Sequence, residues 1–257
     1  MLRSECSICT PEDAFGFDDY GTSRAKADSQ SDQPSLVALP PSMAKHATVW
    51  QVPYPADYSS LGSVKVLTQD DWAEIGALRS SAIRRRAFGM RIFLREALST
   101  AVDAVAPRDW RFGRTVYGKP YVSCNSHNVE FSISHTNNAS FLAISQTVSV
   151  GIDVAMQSVD DSHEIAALLF TRHERSMLNR ASAGERAEMF LRIWTAKEAF
   201  AKLLGVGMAL DAPANDCGVG THLATWAVNT PEGRVVLSLA VDTPVDLRER
   251  PSRQSAA

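Results

Sequence analysis

The chain has 257 residues, of which 45% are hydrophobic and 21% are charged, an ordinary composition for one large globular domain or two small ones. Its net charge of -3 argues against a general nucleic-acid-binding protein. No apolar run approaches the roughly 20 residues that cross a bilayer, and residues 1–10 lack the apolar core of a secretory signal. A cytoplasmic protein that binds neither membranes nor nucleic acid is therefore expected.

Four cysteines occur along the chain: Cys6, Cys9, Cys124 and Cys217. The first two form a Cys-x-x-Cys pair, which is one half of a common zinc site. No second Cys-x-x-Cys pair or paired histidine follows at metal-site spacing, which argues against zinc. Free thiols in a reducing compartment are the simpler interpretation.

Both ends of the chain are predicted to be poorly ordered. Residues 1–48 are rich in Ser, Asp, Gln and Pro and have no sustained hydrophobic period, which is typical of a disordered tail. Ordered structure is expected from about Val49 onwards. The polar residues 248–257 predict a second, loose tail.

The first part of the ordered region is predicted to be helical. Thr68 precedes Asp70 and Asp71 as a helix cap would. A longer helix is expected from about Ser81 to Val102, because apolar residues recur there at steps of three and four.

Strands and then helices follow. Strands are predicted on both sides of the turn at Gly118-Lys-Pro120, and then over 129–134, 141–145 and 148–154. Helices are predicted over 164–169, 172–178 and 185–204, and a hairpin over 223–228 and 235–241. The order of helix and then strands occurs twice, which predicts an α+β fold of two similar halves, residues 49–149 and 150–247.

The long helix carries a candidate anion site. Arg84, Arg91 and Arg95 share one of its faces at about 100° per residue, and guanidinium groups suit phosphate oxygens. A solvated basic surface is the alternative, and the helix alone favours it.

Candidate anion-binding and metal-binding residues also occur at the ends of two predicted strands. Ser134 and His135 end a strand beside a turn, where both side chains can donate hydrogen bonds to an anion, although a purely structural turn histidine is the alternative. Asp153 ends the apolar strand that begins at Val150, and a carboxylate is costly to bury there without a partner. Magnesium is one such partner, and a cap or turn role is the alternative.

The last candidate stretch runs from Trp194 to Gly207. Trp194, Glu198 and Lys202 recur at steps of four and share a helix face. An ordinary surface ion pair between Glu198 and Lys202 is the alternative, but it leaves the following Gly205-x-Gly207 unexplained.

Together these motifs resemble the phosphopantetheinyl transferase superfamily. The motifs, in chain order, are Gly-Lys-Pro, Phe-x-Ile-Ser-His, Gly-Ile-Asp-Val and Trp-Thr-x-Lys-Glu-x-Phe-x-Lys-x-x-Gly-x-Gly. The resemblance covers about residues 79–210 and is greatest to the larger, pseudo-dimeric, surfactin-synthetase-activating type. It implies two similar α/β halves related by a pseudo-twofold axis, each a small, mostly antiparallel sheet packed with a long helix.

The resemblance also implies roles for individual residues. Asp153 and Glu198 match the family's metal ligands, and Glu174 matches a further acidic position near that metal. Glu198 is a candidate base for the acceptor serine, and Lys202 is a candidate acid for the leaving phosphate. The positions that match coenzyme A contacts are Arg85, Arg86, Arg91, Lys119, Ser134, His135, Lys197 and Lys202.

The expected activity is transfer of the 4′-phosphopantetheine group from coenzyme A to a serine of an apo acyl or peptidyl carrier protein, giving adenosine 3′,5′-bisphosphate. The expected cofactor is Mg²⁺, or Mn²⁺ in its place, and the protein is expected to be a monomer. Fatty-acid, polyketide, peptide-synthetase and siderophore carriers all remain open as acceptors.

One position departs from the family pattern. Ala155 stands where the family commonly has a second metal-binding acid after Gly-Ile-Asp. Weaker magnesium binding is therefore expected, although magnesium often needs only one or two carboxylates. A non-catalytic homologue that binds coenzyme A or a carrier protein is the main alternative. An unrelated α+β domain with a basic helix would require the ordered motifs to be accidental.

Overall fold

A computed structural model describes the fold over seven segments of the chain, residues 33–54, 64–123, 127–137, 139–156, 162–207, 221–230 and 233–242. The strands are β1 Ser35–Leu36, β2 Thr48–Pro53, β3 Phe112–Arg114, β4 Pro120–Val122, β5 Glu130–His135, β6 Ala139–Ser145, β7 Val150–Met156, β8 Thr221–Thr230 and β9 Gly233–Asp242. The helices are α1 Pro41–Ala44, α2 Gln69–Gly76, α3 Ser81–Ala101, α4 Ser162–Leu169, α5 Arg172–Arg180 and α6 Ala183–Leu204. Short 3₁₀ turns occur at Val64–Val66 and Pro107–Asp109.

The first sheet packs against the long helix α3. Its strand order is β1-β2-β6-β5, with every neighbouring pair antiparallel. Leu142 and Ile144 of β6 are buried in one cluster with Leu94 and Leu98 of α3. These apolar positions recur every second residue in the strand and every fourth in the helix, which is why each element buries one face against the other.

The second sheet packs against the other long helix, α6. Its strand order is β7-β9-β8, again antiparallel, and β8 and β9 form the expected hairpin. Ala199 and Leu203 of α6 are buried with Ala240 of β9. No helix in the described part of the chain is long and apolar enough to cross a membrane.

The two sheets share one cluster of buried side chains. Phe141 and Ala143 of β6 are buried in it together with Ile152 of β7 and Leu237 of β9. All seven residues of β6 are buried, because this strand lies between α3 and the second sheet. The mixed fold with antiparallel sheets and helices is as expected, while the pseudo-twofold relation between the halves stays a prediction.

Ordered structure begins earlier than the predicted boundary at Val49. Strand β1 pairs with β2, and the short helix α1 buries Met43. The carbonyl of His46 also accepts a hydrogen bond from Ser145 Oγ at 2.6 Å. Residues 33–48 are thus part of the fold, although their polar composition suggested a tail. Residues 1–32, the four cysteines and the tail 248–257 lie outside the described residues.

Candidate functional site

The arginines of α3 divide into two groups. Arg95 is 2% exposed and pairs with Asp71 Oδ2 at 2.6 Å, while Nη1 of the same guanidinium donates to the carbonyls of Pro107 and Trp110. Arg91 pairs with Asp71 at 3.0 Å and with Glu74 at 2.7 Å. Arg91 and Arg95 therefore attach α2 to α3, and the phosphate role of Arg91 stays a prediction.

The arginines at the start of α3 are placed differently. Arg84 donates to the carbonyl of Leu78 at 2.6 Å and so closes the turn before the helix. Arg85 is exposed. Arg86 lies over the ring of Tyr54, with its Cζ 5.0 Å from the ring centroid. Of the three arginines that match coenzyme A contacts, Arg86 is the one whose charge reaches His135.

His135 is held at the end of β5 by two hydroxyl groups. Its Nδ1 lies 2.7 Å from Ser140 Oγ and 3.3 Å from the Tyr54 hydroxyl. Part of the residue is exposed, but desolvation by the surrounding protein, with the positive charges of Arg86 and Lys202, lowers the pKa of His135 to about 4. The imidazole is therefore neutral at physiological pH.

Asp153 is a buried carboxylate on β7 with two partners from other elements. Its Oδ1 accepts a hydrogen bond from Ser134 Oγ at 2.8 Å and pairs with Lys202 Nζ at 2.7 Å. Burial raises the pKa of Asp153, and the Lys202 charge and the hydrogen bonds from Ser134 and the Val154 backbone oppose this rise. The sequence-predicted residues Ser134, Asp153 and Lys202 are thus brought together.

Glu198 lies one helical turn before Lys202 on α6. Burial raises its pKa, and the negative charge of Asp153 raises it further, whereas Lys202 lowers it. Because the Asp153 charge raises the pKa of Glu198, the two carboxylates lie close enough to repel one another. The structure therefore groups two acids, one lysine and one serine from three separate elements.

Helix α6 reaches β7 because Gly151 has no side chain. A Cβ atom on Gly151 would collide with the backbone carbonyl of Ala199 and the backbone nitrogen of Leu203. This close approach brings the α6 residues Glu198 and Lys202 to Asp153, two positions after Gly151. The glycine of the Gly-Ile-Asp motif therefore permits the close packing of α6 against β7.

A cavity of about 270 Å³ opens beside this cluster. Its lining residues include Lys119, Ile133, Glu198, Lys202 and Gly205. Lys119 donates from Nζ to the carbonyl of Leu203 at 2.8 Å, across the junction of the two halves. The Gly-Lys-Pro turn and the end of α6, which are far apart in the sequence, therefore form the walls of one cavity.

Glu174 and Lys197 form a separate buried ion pair. Lys197 Nζ lies 3.2 Å from Glu174 Oε2, and each side chain is 4% exposed. Glu174 Oε2 also accepts from the Thr171 backbone N–H as part of the capping box of α5. The structure thus places Glu174 beside Lys197 rather than in the Asp153–Glu198 cluster. The reason is helical geometry: adjacent residues point about 100° apart, so Lys197 faces α5 while Glu198 faces the cavity.

The carboxylates fit a magnesium ion with a minimal protein ligand set. Within the described segments, no group of three or more His, Cys, Asp or Glu side chains is arranged to hold a metal. Asp153 and Glu198 supply two carboxylates, and Mg²⁺ commonly binds through one or two carboxylates with water and substrate phosphates. Their mutual repulsion is relieved by a cation, as the Lys202 ammonium already does at Asp153 Oδ1.

Sequence reasoning missed Ser132 and Tyr54 in this region, whereas Ser134 was among the predicted site residues. Ser132 and Ser134 accept hydrogen bonds from the backbone N–H groups of Ile152 and Val154, respectively, and so join β5 to β7. The alternation of Phe131-Ser-Ile-Ser134 contains the signal for Ser132, because residues two apart share a face. Tyr54 was also missed, and only the register of β2 beside β6 brings it to His135.

Comparison with known proteins agrees with the geometry. Residues 149–231 match the model of the 4′-phosphopantetheinyl transferase superfamily. The chain is 27% identical over 165 residues to the 4′-phosphopantetheinyl transferase HetI of Nostoc sp. strain PCC 7120, covering 63% of this chain and 69% of that protein. It is 35% identical over 97 residues to the 4′-phosphopantetheinyl transferase gsp of Aneurinibacillus migulanus, covering 38% of this chain and 39% of that protein.

A mammalian relative shows the same kind of partial match. The chain is 26% identical over 172 residues to the rat L-aminoadipate-semialdehyde dehydrogenase-phosphopantetheinyl transferase, covering 62% of this chain and 54% of that protein. The matched region and the names of these relatives indicate a 4′-phosphopantetheinyl transferase over the part of the chain that they cover, in agreement with the motifs. The surfactin-synthetase-activating subtype stays a prediction.

Proposed function

We propose that this protein transfers the 4′-phosphopantetheine group from coenzyme A to a serine hydroxyl of an apo carrier protein. The observation that carries the proposal is that Glu198 and Lys202 line the cavity while Lys202 also pairs with the buried carboxylate of Asp153. Two carboxylates and a lysine beside an open cavity suit a reaction at a pyrophosphate, where negative charge must be offset and a proton removed.

The step forms one bond and breaks another. The serine oxygen bonds to the phosphorus that carries the pantetheine arm, and the phosphorus–oxygen bond to adenosine 3′,5′-bisphosphate breaks. Glu198 takes the serine proton, since it is a carboxylate at the cavity wall with a raised pKa. The Lys202 ammonium offsets the charge on the departing phosphate and can give it a proton.

Asp153 and Glu198 would hold the Mg²⁺ or Mn²⁺ ion. When bound, a divalent ion neutralises pyrophosphate charge and orients the attack in line with the leaving group. Asp153 suits this role because Ser134 and the Val154 N–H fix its position. Lys202, which pairs with Asp153 Oδ1, would add a positive charge beside the same phosphates.

The remaining contacts are proposed for the nucleotide end of coenzyme A. Lys119 lines the cavity from the first half, and His135 directly follows Ser134, which donates a hydrogen bond to Asp153. Arg86 adds a positive charge near His135. Arg85 is exposed and accessible to a phosphate. Arg91 and Lys197 are weaker candidates, because each is already engaged in an ion pair.

The acceptor is proposed to be a small acidic carrier protein that binds the monomeric enzyme. Arg172 and Arg175 are exposed on α5 and can attract such a partner electrostatically. Association is then expected to slow as salt rises, because exposed charges are screened over about 10 Å at 0.1 M salt.

The direct test is intact-mass spectrometry of apo carrier proteins incubated with the enzyme, coenzyme A and Mg²⁺. A gain of one phosphopantetheine with the unchanged enzyme, lost with Glu198→Gln, supports the proposal. Glu188→Gln is the matched control, because Glu188 lies on the same helix in a surface pair with Arg192. No gain on any carrier class, with coenzyme A still bound, would contradict the proposal.

That negative outcome would support the alternative, a non-catalytic binder of coenzyme A or a carrier protein. The observation in its favour is Ala155, which pairs with Val236 on β9 and leaves the strand without a second acid beyond Asp153. Calorimetric titration with Mn²⁺ separates the possibilities further. Tighter binding in Ala155→Glu is expected if the ion binds at Asp153, and unchanged binding would place the ion elsewhere.

A further inference from the structure

Tyr54 connects two side chains that the proposed function assigns to coenzyme A phosphates. It directly follows β2, whose last residue, Pro53, pairs with Ala139 at the start of β6. The next residue of β6, Ser140, is the cross-strand partner of His135. The antiparallel register therefore brings Tyr54, Ser140 and His135 to one point.

The three polar atoms at this point form a closed triangle. Ser140 Oγ lies 2.7 Å from His135 Nδ1 and 3.0 Å from the Tyr54 hydroxyl, and the hydroxyl lies 3.3 Å from Nδ1. Ser140 is fully buried. The two shorter contacts are both made by Ser140, so the serine hydroxyl links the tyrosine hydroxyl to the imidazole.

The direction of these hydrogen bonds follows from the acidity of the groups. A phenol, with a pKa near 10, is a better donor and a poorer acceptor than an aliphatic hydroxyl. The Arg86 guanidinium over the Tyr54 ring strengthens this preference, because a nearby cation favours loss of the phenolic proton. Tyr54 therefore donates to Ser140, and Ser140 donates to Nδ1 of His135.

An imidazole that accepts at Nδ1 must carry its proton on Nε2 when it is neutral. We propose that Tyr54 is a positioning residue: through Ser140 its hydroxyl keeps the His135 proton on Nε2 as a donor for a phosphate oxygen, and its ring supports Arg86. The proposal rests on the proposed function only for the identity of the ligand. The lowered pKa of His135 agrees with a neutral donor.

The test separates the hydroxyl of Tyr54 from its ring. Tyr54→Phe removes only the hydroxyl, Ser140→Ala removes the middle link, and Tyr54→Leu also removes the ring under Arg86. Tyr121→Phe is the matched control, because it removes the hydroxyl of a tyrosine that is exposed on strand β4. Long-range ¹H–¹⁵N spectra of protein with ¹⁵N-labelled histidine show which nitrogen of His135 carries the proton, without any ligand.

The expected wild-type spectrum shows the Nε2–H form, and Tyr54→Phe and Ser140→Ala reduce its population. The Kd for coenzyme A rises by about 3- to 10-fold in each, as for loss of one hydrogen bond, and rises further in Tyr54→Leu. The double variant Tyr54→Phe, Ser140→Ala is expected to show no additional loss, because both act through Nδ1. Tyr121→Phe matches the wild type in both measurements.

The proposal is overturned if wild-type His135 carries its proton on Nδ1. It is also overturned if Tyr54→Phe leaves both the tautomer and the Kd unchanged. A wild type that shows the Nε2–H form, lost in the variants, but that transfers nothing to any carrier supports the positioning role and contradicts the proposed function. The two proposals can therefore fail independently.

Discussion

Gly151 lies where β7 meets α6, and Gly151→Ala is expected to separate the two parts of the proposed catalytic cluster. The added Cβ would lie 2.9 Å from Leu203 Cα and closer still to the Ala199 carbonyl oxygen, whereas ordinary contacts are 3.4–4 Å. These neighbours are backbone atoms of one helix, so they cannot rotate away individually. The helix as a whole must retreat by about 1 Å or more, because the Ala199 carbonyl oxygen is the closest of these atoms.

This retreat affects both stability and activity. Overpacking in a core costs about 1–3 kcal/mol, which corresponds to a Tm lower by roughly 2–12 °C for a chain of this size. The displacement also moves Glu198 and Lys202 away from Asp153. A misplacement on the order of 1 Å can cost about 100-fold in rate, so a 10- to 100-fold loss of kcat is expected in protein that is still folded.

The assay is thermal unfolding together with the rate of phosphopantetheine transfer, measured well below Tm. Gly184→Ala is the matched control, since it lies near the start of the same helix and an added Cβ meets nothing within 4 Å. Alanine is favoured over glycine in helices by about 1 kcal/mol, so this variant should be unchanged or slightly more stable. A Gly151→Ala protein with wild-type Tm and kcat would refute the reasoning.

Three further predictions concern the buried ion pairs of Asp71 and Lys197 and the titration of His135. Asp71→Asn should lower the free energy of unfolding in urea by about 3–5 kcal/mol, because it leaves the Arg95 guanidinium buried without its carboxylate. The control is Glu74→Gln, which changes an exposed partner of Arg91. An effect of Asp71→Asn no larger than that of the control would contradict the prediction. Lys197→Met should lower Tm by leaving Glu174 buried without its cation, and an unchanged Tm with weaker coenzyme A binding would instead show that Lys197 is primarily a phosphate ligand. His135 should titrate near pH 4 in a histidine NMR titration; because it binds its proton less readily in the folded than in the unfolded protein, its contribution to stability is lost as pH falls from about 6.5 to about 4. His135→Gln should remove that part of the acid destabilisation, and an ordinary titration near 6.5 would contradict the packing around its ring.

Local signals in the sequence were enough to predict most helices and strands from residue 68 onwards. Periodicity and caps are local signals, so α3, α6 and the β8–β9 hairpin could be predicted to within a few residues. The Thr68 cap was predicted for the same reason, and the structure adds the reciprocal hydrogen bond, in which the Thr68 backbone N–H donates to the Asp71 carboxylate. The order of the motifs carried the resemblance to the phosphopantetheinyl transferase superfamily, and the family model that matches residues 149–231 supports that resemblance.

Only the tertiary contacts show which charged residues lie at the proposed active site and which form structural ion pairs elsewhere. Arg86 and Arg91 are both arginines of one helix, but Arg91 is committed to Asp71 while Arg86 lies over Tyr54 beside His135. Neighbouring Lys197 and Glu198 likewise point to different partners. Helix periodicity specifies which residues share a face, but what that face meets depends on strand register and on close approaches such as the one at Gly151. These contacts join residues far apart in the chain, so no local pattern encodes them.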